Sequence, residues 1–377
     1  MISAVPVDFS DPALAADIAD GLVGVEKVMA EASVTEEALL TEASRHLIDA
    51  GGKRFRATLV LLAAHFGDSH DERVVPAAAA IELTHLATLF HDDVMDEAAI
   101  RRGLQSANSR WNNTIAILTG DFLFARASSI LAELGAEAIR IQAETFARLV
   151  SGQVAETLGP RPGQDPLMHY LHVVEDKTAS LIATAGRFGA MFAGAPADVV
   201  ARITAASHDL GVAFQLSDDI LDVASESAQS GKAPGTDLRE GVRSLPVLHA
   251  LAPSAPGSLV SGAPASGSSA VAGSPVAGSA LAGSPVAGSA VGGSAVAGSP
   301  AAGDARLREL LSRDGLTDDS EHAEALALLR AHSAMDAARA DLRRWSDAAR
   351  AEIAGLPDVP ARRAFEIMCD FVVERTS

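Results

Sequence analysis

Two runs of aspartate hold the residues best placed to do chemistry: Asp92-Asp93-Val94-Met95-Asp96 and Asp218-Asp219-Ile220-Leu221-Asp222. Both read Asp-Asp-x-x-Asp. Both follow apolar, helix-forming sequence, Leu89-Phe90 in the first case and Phe214-Gln215-Leu216 in the second. Residues three and four apart are neighbours on a helix, so each run gathers three carboxylates within about one turn. Like charges roughly 4 Å apart repel by about 4 kcal/mol at an effective dielectric of about 20. A solvated acidic face would account for one such cluster. Two of them, each set behind apolar residues, point to divalent cations between the carboxylates. Oxygen-seeking Mg2+, held by one or two carboxylates, waters and a ligand's phosphates, is the natural choice. Two such sets facing each other would cage a diphosphate.

Metal alone does not hold a diphosphate; cations and hydrogen-bond donors must take the remaining oxygens. Lys53-Arg54-Phe55-Arg56 follows Gly51-Gly52, a usual helix terminator, which would let a basic run sit at a mouth between helices. Read alone, the same run is a positively charged helix end. Arg101-Arg102-Gly103 begins five residues past Asp96, and guanidinium suits bidentate phosphate binding. Lys53, Lys177 and Lys232 are three of only four lysines in the chain. His85 lies seven residues ahead of Asp92, on the same helical stripe; a lone histidine on a helix is more usually a satisfied core residue.

The elements that must position these residues are helical by pattern. The 377 residues are 48% hydrophobic, enough for one large domain or two. A net charge of −19 argues against nucleic acid as a partner. A single cysteine, Cys369, rules out an intrachain disulfide framework and reads as a small buried residue. Met1 to Asp11 lacks a basic start followed by an apolar run, so no signal peptide is expected. No uninterrupted apolar stretch of about 18 residues lies outside the Gly/Ser-rich tract, so no transmembrane helix is expected either, and the expected location is cytoplasmic. Helices are expected at Pro12–Ala32, Thr35–Ala50, from Thr58 to Phe66, from Pro76 into the first aspartate run, across most of 106–161, at 168–193, at 197–224 holding the second run, at 304–315, at 320–354 and at 360–374. No period-two alternation is long enough for a sheet. The expected fold is all-α, a large antiparallel helical bundle with a central cavity into which facing helices project the site. Residues 1–12 read as a flexible terminus. Residues 13–252 and 303–377 read as one helical domain. Residues 253–302, with a five-residue repeat such as Val-Ala-Gly-Ser-Pro at 271–275, read as a disordered insertion, because Gly, Ser and Pro at that density cannot bury a core.

Taken in order, Gly51-Gly52-Lys53-Arg54-Phe55-Arg56, His91 to Asp96, Arg101-Arg102-Gly103, Gly120-Asp121, Lys177-Thr178, Phe214 to Asp222 and Gly231-Lys232 to Pro246 resemble the motif set of the trans-isoprenyl diphosphate synthases, or polyprenyl synthetases. The resemblance covers nearly everything from about residue 40 to 252 and again from 304 to 377. It implies a helical prenyltransferase, usually a homodimer, that joins isopentenyl diphosphate head-to-tail to an allylic diphosphate. Carried over position by position, Asp92, Asp96 and Asp218 would hold Mg2+, about three ions per site, with Asp93, Asp219 and Asp222 supporting them. Arg101, Lys177 and Lys232 would neutralise the allylic diphosphate. Lys53, Arg56, His85 and Arg102 would bind isopentenyl diphosphate, and Thr178 and Gln215 would face the reacting carbons. Brief membrane contact during product release fits the same picture.

Two positions depart from the family pattern: Val242, where a lysine is usual, with Arg243 beside it, and Gln153, where glutamate often follows Gly152. In the family, bulky aromatics four or five residues before the first aspartate stop chain growth. Here Thr88 and Ala87 are small, which implies a longer product of about 30 to 50 carbons, since one isoprene unit is close to one helical turn in length. A short-chain synthase of the same family and a non-catalytic partner subunit are the alternatives. A terpene cyclase fits poorly, because the second aspartate run and the basic Lys53 to Arg56 are both present.

Overall fold

Short polar residues, prolines and glycines mark where the helices start and stop. Asp11, Asp165 and Asp318 each accept two N–H groups of the helix that follows, which removes orphan donors from its first turn. Pro12, Pro166 and Pro360 each open a helix, where a missing N–H does no harm. The structure is a computed structural model that describes residues 11–225, 234–252, 302–313 and 315–376. Lys232 and the five-residue repeat lie outside them.

The first half of the fold comprises α1 (Pro12–Ala32), α2 (Ala38–Asp49), α3 (Phe55–Ala64) and α4 (Val74–Met95), then a small hairpin, β1 (Ile100–Arg101) with β2 (Leu104–Gln105), then α5 (Ala107–Arg110), α6 (Asn113–Leu134) and α7 (Ala136–Leu158). The rest is α8 (Pro166–Val174), α9 (Ser180–Phe192), α10 (Ala197–Ala224), α11 (Thr236–Glu240), α12 (Leu245–Leu251), α13 (Ala302–Leu311), α14 (Asp319–Ala331), α15 (Ala334–Ala354) and α16 (Pro360–Glu374). Among the described residues the hairpin is the only sheet, so the expected all-α class holds. The ranges of α1, α10 and α16 match the sequence expectation. Two expected helices are interrupted. The one at 320–354 breaks where His332 turns extended, with ψ 146, and its Nδ1 accepts the N–H of Ala334 at 3.0 Å to start a new helix. The one at 168–193 carries a π-turn at Glu175–Ala179, the kind of one-residue excess that is frequent at functional sites.

Helices α3, α4, α9 and α10 form the interior. All eight residues from Ala57 to Ala64 are buried, as expected of a helix that is apolar on every side. Contacts between these helices are close because glycine removes side chains where backbones meet. A β-carbon at Gly189 would collide with the Val60 carbonyl of α3, and one at Gly186 with Ser207 of α10. By length and composition α4 and α6 are apolar enough to cross a membrane, but 67% of the α4 window is buried inside the protein, against 33% of the α6 window.

Gly→Ala in a helix normally stabilises by up to about 1 kcal/mol. Gly189→Ala is expected to do the opposite, lowering unfolding free energy by about 1–3 kcal/mol through overpacking of α3 against α9, as read from urea denaturation.

Candidate active site

The first aspartate run lies at the C-terminal end of α4. The helix stops at Asp96, and Glu97 takes a positive φ of 50, which swings the chain into the hairpin. The side chains divide by role. Asp93 is fully buried and accepts Arg101 Nε at 2.6 Å, so Arg101 is tied to the helix from the adjoining strand. Asp92 is half-buried and Asp96 exposed. His91 locks α4 to α6: its Nε2 lies 3.2 Å from the Ile117 carbonyl and 3.3 Å from Asp121. The imidazole passes where a β-carbon on Gly120 would stand, which explains the Gly120-Asp121 pair.

The π-turn connects this end of α4 to the second run. Gly152 of α7 lets the Lys177 backbone approach, because a β-carbon there would collide with it. Lys177 pairs with Glu156 of α7, and its charge acts on Asp92, as do those of Arg101, Asp96 and Glu156. Next to it, Thr178 Oγ1 donates to Gln215 Oε1 at 3.2 Å, and Gln215 precedes Asp218 on α10 by less than one turn.

In the second run Asp218 pairs with Arg375, Nη2 to Oδ1 at 2.8 Å. Arg375 also donates to Ser217 Oγ at 2.6 Å and lies over the Phe214 ring at 4.5 Å. Asp219 is buried and accepts Tyr170 Oη, Gln215 Nε2 and the Leu245 N–H. Asp222 caps α11, accepting the N–H groups of Thr236 at 3.1 Å and Asp237 at 3.2 Å.

The basic residues divide in the same way. Arg54 takes a positive φ of 47 and is 3% exposed, with Glu26 at 2.6 Å and the Ile48 carbonyl at 2.9 Å. It is scaffold. Lys53 is exposed. Arg56, the second residue of α3, feels Glu82 and Asp218, and its Nε is buried with no protein acceptor. Arg102 donates to the Leu47 and Gly51 carbonyls, its guanidinium crossing where a Gly52 side chain would stand. His85, half-buried on α4, faces Arg56 and Arg102. Thr88 is half-open, whereas Ala87 is 1% exposed and packed in the core. Asp93, Asp219 and Asp222 are thus held by neighbouring groups of the fold, Asp218 is held by Arg375 at an exposed position, and Asp92 and Asp96 stand at the C-terminal end of α4.

Electrostatics follow from this crowding. Burial pushes Asp92 up to about 6, against the pull of Lys177 and with the push of Asp96. Burial likewise pushes Asp219 up to about 6, opposed by its hydrogen bonds from Tyr170, Gln215 and Leu245. Burial, with Arg56 and Arg102 beside it, holds His85 well below its ordinary value, so it is a neutral imidazole at pH 7. The donor set is hard oxygen, which suits a hard divalent cation. Among the described residues no three carboxylate or imidazole groups are close enough to hold a metal ion unaided. A cation here needs further oxygens, such as those of a bound diphosphate, and the unpartnered Arg56 Nε is a donor awaiting an anion.

Three residues of the site went unread in the sequence. Glu156 sits one turn beyond Gln153 and brings the carboxylate that Gln153 lacks. Tyr170 is the chain's one tyrosine, seven residues before Lys177, a signal that was available. Arg375, far away near residue 377, gave none. The segment that holds Val242 reaches the site through the backbone N–H of Leu245, 3.2 Å from Asp219.

A family model described as polyprenyl synthetase matches residues 37–261. A nonaprenyl diphosphate synthase of Mycobacterium tuberculosis is 43% identical over 370 residues, 98% of this chain and 96% of that one. A dimethylallyltranstransferase of the same organism is 35% identical, covering 97% of this chain and 98% of that one. Among solved structures, a geranylgeranyl pyrophosphate synthase from Corynebacterium glutamicum, complexed with calcium and isoprenyl diphosphate, superposes with a TM-score of 0.78 at 38% identity, covering 99% of this chain and 100% of that one. The chain belongs to the polyprenyl synthetase family, and it is a prenyl-transferring enzyme.

The two raised carboxylates set a pH dependence. A folded-state pKa of about 6 against 3.8 in the unfolded chain means that the folded protein binds those protons more tightly. Their stabilising contribution is full below about pH 4 and is lost as pH rises through about 6. In chelator, unfolding free energy is expected to fall from pH 5 to pH 7, and Asp219→Asn should flatten that slope.

Proposed function

We propose that the chain condenses isopentenyl diphosphate with an allylic diphosphate of the geranyl or farnesyl type, with Mg2+, to make an all-trans polyprenyl diphosphate of about 30 to 50 carbons. One observation carries the reading: Lys177 and Thr178, neighbours on one π-turn, reach Asp92 of the first run and Gln215 beside the second. Asp92, Asp96 and Asp218 would hold the metal, which when bound supplies Lewis-acid neutralisation of the leaving diphosphate.

Lys177 and Arg101 take charge from the same diphosphate, as preorganised donors do where negative charge grows, and the family resemblance gives Lys232, outside the described residues, the same role. Lys53, Arg56, His85 and Arg102 receive the isopentenyl diphosphate; neutral His85 can donate to a phosphate oxygen without adding to the arginine repulsion. Thr178 and Gln215 face the carbon from which the diphosphate departs. The apolar interior of α3, α4, α9 and α10 keeps water from the allylic cation. The departing diphosphate takes the final proton.

Product length rests on small, half-open Thr88, with Ala87 packed in the core and so not part of the floor, together with the 43% identity to a nonaprenyl synthase. One observation favours a shorter product of about 20 carbons. Gln142 of α7 bonds Thr84 at 3.3 Å, while Glu156 acts on Asp92, so α7 runs parallel with α4. That places Phe146, stacked on Phe124 at 4.0 Å, level with Thr88, where it can serve as a floor. We also propose a homodimer in the cytoplasm: α6 and α7 leave Ile117, Leu118, Val150 and Val154 exposed, an apolar face that a second copy would cover.

With farnesyl and isopentenyl diphosphates and Mg2+, the purified chain should give products beyond 20 carbons by chromatography; none longer would favour the aromatic floor. Asp92→Ala or Asp218→Ala should lower kcat by at least about 100-fold. Thr88→Phe should shorten the product, whereas Ala87→Phe, at a packed site, should first destabilise the fold.

A further inference from the structure

Tyr170 has no part in the binding roles above, yet it ends a chain of hydrogen bonds that runs into the site. Its hydroxyl, on α8, donates to Asp219 Oδ2 at 2.6 Å. The same oxygen accepts the Leu245 N–H at 3.2 Å, and the other accepts Gln215 Nε2 at 3.0 Å. Both oxygens of a carboxylate only 6% exposed are therefore used by the protein. An ionised carboxylate only accepts, so Gln215 must turn its NH2 toward Asp219 and its carbonyl oxygen away. That oxygen takes the one proton of Thr178 Oγ1 at 3.2 Å. Every donor in the chain is assigned by the single anion at its centre. Thr178 is left presenting lone pairs.

We propose that Tyr170 is a positioning residue that fixes the polarity of the Asp219–Gln215–Thr178 chain, so that Thr178 turns lone pairs toward the positive charge developing on the allylic carbon. The proposal rests on the prenyl-transfer reading and deepens it. Asp219 on this account serves orientation, while Asp92, Asp96 and Asp218 serve the cations. Without the Tyr170 hydroxyl, the carboxylate can rotate, the Gln215 amide can flip, and Thr178 can point its proton at the forming cation. The effect is expected in the chemical step and not in binding, because Tyr170 is tied to the site through Asp219.

The test is Tyr170→Phe, which removes one oxygen and keeps the ring. In the folded variant kcat should fall about ten-fold, a loss of one hydrogen bond to a charged group, while KM for both diphosphates stays within about two-fold. Calorimetric titration of inorganic diphosphate in the presence of Mg2+ should match the wild-type chain. A purely structural role would lower the melting temperature and leave kcat and KM of the folded protein unchanged, and that result would overturn the proposal. So would a parallel loss of Mg2+ and diphosphate binding, which would make Asp219 a metal group. Gln215→Glu breaks the same chain from its other end and should show the same loss confined to kcat; it decides the matter if Tyr170→Phe does not fold. A wild-type chain that transfers no prenyl group would instead defeat the underlying reading, and this proposal with it.

Discussion

Negative charge gathered at the ends of α4 and α10, only partly answered by protein cations, is the constraint on which the rest of the structure depends. Asp92 and Asp96 share the end of α4, with Glu156 close by, and Lys177 and Arg101 answer them only in part. Asp218 has Arg375, a cation that an incoming metal would have to outcompete. Repulsion of this kind is tolerable in a folded protein only where something else supplies positive charge when the site is in use. The other three aspartates show the contrast. Asp93 is answered by Arg101, Asp219 by three donors, and Asp222 by the first turn of α11. Each Asp-Asp-x-x-Asp run is thus part fastening, and on the proposed reading part ligand.

The scaffold earns this precision with small residues. Gly120 admits His91, Gly152 admits the Lys177 backbone, Gly186 and Gly189 seat α9 between α10 and α3. None of these glycines needs an unusual backbone angle; each is small because another residue occupies its space. The π-turn then adds a residue to the α8–α9 rod, which rotates Lys177 toward the first run while Thr178 meets the second. Rigid helices supply position, and a local departure from regular helix supplies direction.

Much of this was legible in the sequence. The helical class and the ranges of α1, α10 and α16 follow from periodicity and capping residues, whereas the association of Lys177 and Gln215 with the aspartate runs was implied by the family resemblance. The division of labour inside the motifs did not. Nothing in Lys53-Arg54-Phe55-Arg56 distinguishes Arg54, clamped on Glu26, from Arg56, whose Nε has no protein acceptor, because that depends on which way α3 leaves the glycine turn. The break at His332 was not read, since it turns on the rotamer that lets the imidazole take the N–H of Ala334 two residues on. Arg375 was unreadable for a related reason: its partner, Asp218, lies 157 positions earlier in the chain, and no local pattern encodes a contact that remote.

On the proposed reading, aspartates on α4 and α10 share cations around one diphosphate. Anomalous diffraction from crystals grown with Mn2+ and inorganic diphosphate tests it most directly. The account predicts Mn2+ peaks beside Asp92 and Asp96 and another beside Asp218, with diphosphate oxygens bridging them and Arg375 displaced from its carboxylate. Diphosphate bound with metal at one run alone, while Asp218 keeps its pairing to Arg375, would contradict it.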